Sequence, residues 1–266
     1  MAAIGPSGTG TVRGGGWLTV PRHRDGAAVR LYCLPWAGSG ASAYRPWART
    51  FPASVEVVPV ALPGRERRLR EEPLRTVDAL ADALVPVLRA DIDRPYALFG
   101  HSMGALIAFE AALRLTRDGL PPARLFVSGS RAPHRPLHYG GLHTLAPGPF
   151  LEAVRRFQPE PGGALDDDEL AELFLPTLHV DFAAAETYRR PSDTRVACPV
   201  SAFGGDADPL VDAADVAAWR LHTSGPFTSY SIEGGHLFVT TRERRMCELV
   251  GGELCDLPAG VPRTRS

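Results

Sequence analysis

The sequence predicts an α/β fold with a mostly parallel, doubly wound sheet. Short apolar runs alternate with segments of helical apolar spacing, and strands separated by helices are typical of βαβ units. At 266 residues the chain is long enough for one large domain or two small ones. The predicted strands are 29–34, 55–62, 96–99, 124–128, 199–203 and 227–232.

The predicted helices lie between and after these strands. Pro86 and Pro176 fall inside two of them, where a proline is expected to kink or interrupt a helix. The predicted helices comprise one that follows a Gly-rich turn and ends at Trp47, then 77–90, 103–117, 149–157, 168–188 and 239–250.

The alternation of strands and helices stops between Arg131 and Arg190, where only loop and helical signals occur. The simplest interpretation is a single α/β domain over 17–266 with a helical lid inserted at about 131–190. Residues 1–16 are rich in Gly, Ser and Thr, and we expect them to be disordered because they cannot bury enough apolar surface.

Composition excludes several functions. The chain has 29 basic and 30 acidic residues, a net charge of −1, which predicts no nucleic-acid partner and no anionic membrane surface. All basic residues are Arg, so P-loop, protein-kinase and Schiff-base chemistries lack their lysine. There is neither a signal-peptide pattern nor an apolar run of membrane-spanning length, and we therefore expect a cytoplasmic protein.

The cysteines indicate no metal or redox site. Cys33, Cys198, Cys247 and Cys255 form no CxxC pair and no metal-ligand spacing with histidine. Cys33 and Cys198 stand in apolar runs, which predicts buried, reduced thiols. No cofactor or metal is expected.

The strongest functional signal is Gly-His-Ser-Met-Gly at 100–104, between a predicted strand and a predicted helix. A serine at such a sharp turn is held in a strained conformation with its Oγ exposed, which predicts Ser102 as a nucleophile. The small residues on either side would let the helix pack close to the strand. The N–H of Met103, at the helix start, is a candidate oxyanion donor.

A nucleophilic serine needs a base and an acid that orients it. Both follow later strands: GGDADP at 204–209 offers Asp206 or Asp208, and EGGH at 233–236 offers His236 as the base. The spacing does not separate the two aspartates, and the one not used is expected to bond nearby backbone N–H groups.

The other histidines are interpreted as structural. His23 and His222 lie in polar loop contexts, and the ring of His101, beside the serine, is expected to point elsewhere. His134, His138 and His143 match no zinc motif and are expected at the surface or in the lid.

The second oxyanion donor is expected in the loop LPWAGSG at 34–40, whose glycines allow close backbone approach. At this point the chain resembles the type II thioesterases of polyketide and non-ribosomal peptide biosynthesis, which are α/β-hydrolases. The resemblance extends from about 31 to 250. It is carried by LPWAGSG, ALPGRERRL, GHSMGALIAFE, FVSGSRAP, the helical segment DDELAELFLPTLHVDFAAAETYRR, GGDADPLV and EGGHLFV.

Carried over by position, the resemblance implies Ser102 as nucleophile, Asp208 as acid and His236 as base, with the N–H groups of Ala37 and Met103 as oxyanion donors. Three positions depart from the family pattern. Trp36 replaces a common His, Ser39 a Gly, and Ser130 an Arg.

The resemblance also implies a function. It predicts a stand-alone, monomeric editing thioesterase that hydrolyses acyl groups from the phosphopantetheine arm of an acyl or peptidyl carrier protein. Leu170, Leu173, Leu175, Leu178 and Phe182 recur at helical intervals and could cover an acyl chamber or simply pack the insertion onto the core. Two alternatives remain: a general carboxylesterase or lipase with the same triad, and a catalytically silent binding partner.

Overall fold

Six parallel strands form the central sheet of the computed structural model, which describes residues 10–139, 141–156 and 167–255. The strand order is β4-β3-β5-β6-β7-β8, and every neighbouring pair is parallel. The eight strands are β1 Thr11–Arg13, β2 Leu18–Val20, β3 Val29–Leu34, β4 Val55–Pro59, β5 Tyr96–His101, β6 Arg124–Ser128, β7 Val200–Gly205 and β8 Phe227–Ile232.

The described residues also form eight α-helices, which lie between or after these strands. They are α1 Trp47–Thr50, α2 Val77–Asp91, α3 Met103–Arg117, α4 Pro147–Arg155, α5 Asp168–Thr187, α6 Ala213–Ala217, α7 Phe238–Thr241 and α8 Glu243–Cys255. Both α2 and α5 continue through their internal prolines, Pro86 and Pro176.

Strands β3 to β7 are buried on both faces, because their successive side chains enter different cores, whereas the edge strand β8 is partly exposed. In β5, Leu98 packs on the side of α2 and α3, and Phe99 on the side of α1 and α8. Two-sided burial explains why these strands are continuous apolar runs. The predicted mostly parallel, doubly wound α/β architecture is confirmed.

Several predicted boundaries are confirmed. The bounds of β3, α3, β6 and β8 agree with the sequence prediction, and the structure has no strand among the described residues of 131–190. The predicted helix 149–157 ends beyond the described residues; its described part corresponds to α4.

The disorder predicted for residues 1–16 is wrong at 10–16, whereas 1–9 lie outside the described residues. Thr11–Arg13 pairs antiparallel with Leu18–Val20, and a tight 3-10 turn of three glycines joins the two strands. The glycines that suggested disorder adopt positive φ, which makes this short connection possible.

Two helix predictions were also inexact. The helix expected to end at Trp47 is a 3-10 turn, Ala41–Tyr44, followed by the short α1. The final helix is divided into α7 and α8 at Arg242, whose backbone leaves the helical region.

Candidate active site

Ser102 lies at the turn between β5 and α3. Its backbone has φ 53° and ψ −118°, a conformation that is strained for a residue with a Cβ. The Ser102 N–H donates to the carbonyl of Ser128 on the neighbouring strand, at 2.8 Å, which holds the turn against the sheet.

The two glycines of the motif make this turn sterically possible. A Cβ on Gly100 would lie 2.1 Å from the carbonyl oxygen of Gly104, and a Cβ on Gly104 would lie 2.3 Å from that of Leu34. No side chain fits at these distances, so α3 can approach β5 and β3 this closely only with glycine at both positions.

His236 stands between the serine and an aspartate. Its Nε2 is 3.0 Å from Ser102 Oγ, and its Nδ1 is 2.8 Å from Asp208 Oδ2. Because a carboxylate can only accept, Nδ1 carries the proton and donates to Asp208, and Nε2 accepts from the serine hydroxyl. This is the tautomer that a general base requires.

Asp208 is held in place by backbone donors. Its side chain is fully buried, and Oδ1 accepts from the N–H of Leu210 at 2.8 Å and of Val211 at 3.3 Å. Asp206 instead turns away and accepts from the N–H of Gly234 at 2.9 Å. The two aspartates that spacing could not separate therefore occupy different positions relative to His236.

The side chain of His101 contacts the backbone of the base, His236, and the sequence analysis did not predict this contact. Its ring is buried, with Nε2–H donating to the backbone carbonyl of His236 and Nδ1 accepting from Ser128 Oγ, both at 2.9 Å. Burial holds the pKa of His101 well below its usual range, which keeps the ring neutral. A Cβ on Gly129 would lie 2.5 Å from this ring. The glycine of the SGSRAP segment was therefore a sequence signal for the close packing of His101.

The loop after β3 passes close to the serine. Ala37 and Met103 both line a cavity with Ser102 and His236, so the two predicted oxyanion donors belong to residues of the same cavity wall. Trp36 packs edge-on against the ring of His101, with centroids 5.7 Å apart.

Two cavities are lined by Ser102 and His236. The first is narrow, with a volume of about 60 Å³. Its wall includes Leu106, Ser130, Phe182 and Leu210. A groove adjoins the second cavity and extends to Ser39, Glu66 and Phe174. The residues that line both are Trp36, Ala37, Leu178 and Leu237.

His23, His134, His138, His143 and His222 bond to other side chains, and His222 was misjudged. His222, expected in a polar loop, is fully buried and packs against Phe109 and Trp219. It accepts from His134 at 2.8 Å, since its own Nδ1–H donates to the Thr194 carbonyl.

His138, Asp212 and Asp215 form the one cluster of metal-ligand side chains in the described parts of the chain. Its groups already have partners: His138 lies 2.7 Å from Asp215, which also pairs with Arg135, and Asp212 caps α6. The three free thiols at Cys33, Cys198 and Cys247 are buried, as predicted for the first two, and that of Cys255 is exposed.

Among residues 10–139, 141–156 and 167–255, no helix combines the length and the apolar character needed to cross a bilayer.

A parallel sheet whose carboxyl ends bring together a strained serine, a histidine and an aspartate defines the α/β-hydrolase class of protein. Comparison with known sequences makes this specific. The thioesterase domain family matches residues 29–253, and the chain therefore belongs to that family. It is a thioester hydrolase.

Individual relatives agree over nearly the full chain. Gramicidin S biosynthesis protein GrsT of Aneurinibacillus migulanus is 35% identical over 239 residues, covering 90% of this chain and 93% of that protein. Thioesterase PikA5 of Streptomyces venezuelae is 38% identical over 257 residues, covering 96% and 90%. The structure of the type II thioesterase BorB from the borrelidin biosynthetic cluster has a TM-score of 0.83 at 37% identity, covering 90% and 97%.

Proposed function

We propose that this protein is a stand-alone editing thioesterase that hydrolyses acyl groups from the phosphopantetheine arm of an acyl or peptidyl carrier protein. The observation that carries the proposal is the hydrogen-bonded series Ser102–His236–Asp208 at the meeting point of two cavities. The chain's membership of the thioesterase family, with relatives named for gramicidin S and borrelidin biosynthesis, supports this substrate class.

The first half of the reaction forms an acyl-enzyme. Ser102 Oγ attacks the thioester carbonyl as its proton passes to His236 Nε2, and Asp208 stabilises the imidazolium that results. The carbon–sulfur bond breaks, His236 returns the proton to the departing sulfur, and the arm leaves as a free thiol.

The second half releases the acid. Water gives a proton to His236 Nε2 and attacks the acyl ester, and the proton then returns to Ser102 Oγ as the carbon–oxygen bond breaks. In both halves the negative oxygen is stabilised by the N–H groups of Ala37 and Met103. Backbone donors fixed before the reaction are effective because they need no reorganisation when the charge develops.

The first cavity and the groove suggest where each part of the substrate binds. The acyl group would occupy the cavity walled by Leu106, Phe182 and Leu210, and the phosphopantetheine arm would approach along the groove walled by Trp36 and Phe174. Ser130, in the wall of the first cavity, adds a hydroxyl there.

The organisation of the chain follows from this assignment. Phe182 of α5 lines both cavities, and Leu178 lines the second cavity and the groove. The helical segment at about 131–190 therefore acts as a lid within a single domain, which also includes β1 before residue 17, paired with β2. The protein acts as a cytoplasmic monomer and meets its carrier protein transiently.

The test is a comparison of two substrates that share one acyl group. One is the acyl thioester of a phosphopantetheinylated carrier protein, followed by mass spectrometry of the carrier, and the other is the matched p-nitrophenyl ester. Wild type should cleave the carrier thioester, and Ser102→Ala should not. Ser229→Ala, which alters an exposed serine of β8 away from the cavities, should match wild type.

Rapid ester cleavage with an intact carrier thioester would overturn the proposal and indicate a general carboxylesterase. If Ser102→Ala retains both thioester and ester cleavage, Ser102 is not part of the mechanism.

A further inference from the structure

A buried ion pair joins the helical segment to the loop that carries Ala37. Asp181 on α5 is fully buried, and its carboxylate receives two hydrogen bonds from the guanidinium of Arg65: Nη1 to Oδ2 at 2.6 Å and Nη2 to Oδ1 at 2.9 Å. Arg65, in the loop after β4, is itself only 5% exposed. Such bidentate geometry fixes both partners.

The pair also holds the turn formed by residues 36–39. Asp181 Oδ2 accepts from the Gly38 N–H at 2.8 Å, and Arg65 Nη1 donates to the Ser39 carbonyl at 3.2 Å. Gly38 has φ +74°, and a Cβ there would lie 2.5 Å from Leu178 Cδ1, one turn before Asp181 on α5. The helix therefore contacts the turn with no space between them.

Within the turn, the orientation of the Ala37 N–H is fixed indirectly. The Ser39 N–H donates to the Trp36 carbonyl at 3.0 Å. That carbonyl and the Ala37 N–H belong to one trans peptide, so they point in opposite directions. The Gly38 and Ser39 N–H groups and the Trp36 and Ser39 carbonyls thus have partners. The Ala37 N–H points away from the Trp36 carbonyl, and Ala37 lines the cavity that contains Ser102.

We infer that Arg65 and Asp181 are positioning residues that set the oxyanion donor of Ala37, so that its alignment depends on α5 being seated on the turn. This inference rests on the proposed function. Arg65 has a second effect, because it pairs a carboxylate that would otherwise be buried without a counter-charge. A buried charge that loses its partner is strongly unfavourable.

The measurement compares turnover with the binding of an acyl trifluoromethyl ketone. The catalytic serine attacks the carbonyl of this ketone, and the resulting adduct carries an oxyanion. In Asp181→Asn we expect kcat to fall about 10- to 100-fold, with a parallel loss of ketone affinity and KM within about threefold, because a misaligned donor acts on the transition state. Arg65→Lys, which retains the charge, should lower kcat and ketone affinity less than Arg65→Met does. Combining Arg65→Met with Asp181→Asn should restore part of both.

Glu56→Gln is the matched control. Glu56 is also a fully buried carboxylate paired with an arginine, Arg30, but it lies on β4 away from the cavities. This variant should retain both the turnover and the ketone affinity of the wild type.

Folded Asp181→Asn and Arg65→Lys proteins that bind the ketone as tightly as wild type would overturn the inference. An equal loss of ketone affinity in Glu56→Gln would also overturn it, since the effect would then be one of general stability. If wild type itself neither cleaves thioesters nor binds the ketone, the proposed function fails instead.

Discussion

Asp208 lies 2.8 Å from Nδ1 of His236, whereas Asp206, two residues earlier, bonds the N–H of Gly234 on the same loop as the histidine. Asp208 is therefore placed to orient the imidazole, and Asp206 to shape the loop. We expect Asp208→Asn to lower kcat by up to about 10⁴-fold, because the amide favours the wrong tautomer. Asp206→Asn should lower kcat by about tenfold or less. Steady-state rates on one thioester decide, and the opposite order would transfer the acid role to Asp206.

Gly100→Ala should destabilise the protein by about 3 kcal/mol or more, because overpacking in a dense core already costs about 1–3 kcal/mol and here the new Cβ meets backbone. Urea unfolding measures the effect. Gly148→Ala is the control: it places a Cβ in open space within α4 and should be neutral or slightly stabilising. Equal stability of the two variants would contradict the close approach of α3 to β5.

Stability should decrease as the pH falls below about 6.5, the ordinary pKa of histidine. Burial lowers the pKa of both His101 and His222 in the folded protein. The unfolded chain then binds protons that the folded chain does not, so their contribution is complete above pH 6.5 and is lost on acidification. Each can contribute up to about 1.4 kcal/mol per pH unit.

Urea titrations at pH 7.5, 6.5 and 5.5 test this pH dependence. His222→Phe should reduce its slope, whereas Ser229→Ala, which removes no titratable group, should not. Identical slopes in wild type and His222→Phe would show that His222 does not contribute.

Only the thiol of Cys255 should react rapidly with a disulfide reagent in the native protein. Cys33, Cys198 and Cys247 are buried, and burial raises the pKa of the Cys198 thiol to about 12. One rapid equivalent should become four on unfolding in urea. Cys255→Ser should abolish the rapid phase, and a remaining equivalent would indicate that one of the other thiols is accessible.

Local sequence signals were sufficient where an element depends on its own residues. The helix α3 begins directly after Ser102 and ends at Arg117, before Gly119, as its apolar spacing predicts. The turn between β1 and β2 was missed because glycine composition indicates freedom of the backbone but not the strand pairing that limits it.

The remaining features depend on contacts between distant segments. Asp206 and Asp208 follow the same strand, and only the position of His236 on the next loop separates them. The polar neighbours of His222 in sequence did not reveal its aromatic neighbours in space, Phe109 and Trp219. In the same way, no local pattern joins Arg65 to Asp181 across 116 positions.

The most direct test of the account is to trap the acyl-enzyme. Wild type mixed with an acyl carrier-protein thioester and quenched with acid within milliseconds should show, by peptide mass spectrometry, the acyl mass on the peptide that contains Ser102. His236→Ala should accumulate little adduct. An acyl group on another residue, or hydrolysis that proceeds at the wild-type rate in Ser102→Ala, would contradict the account.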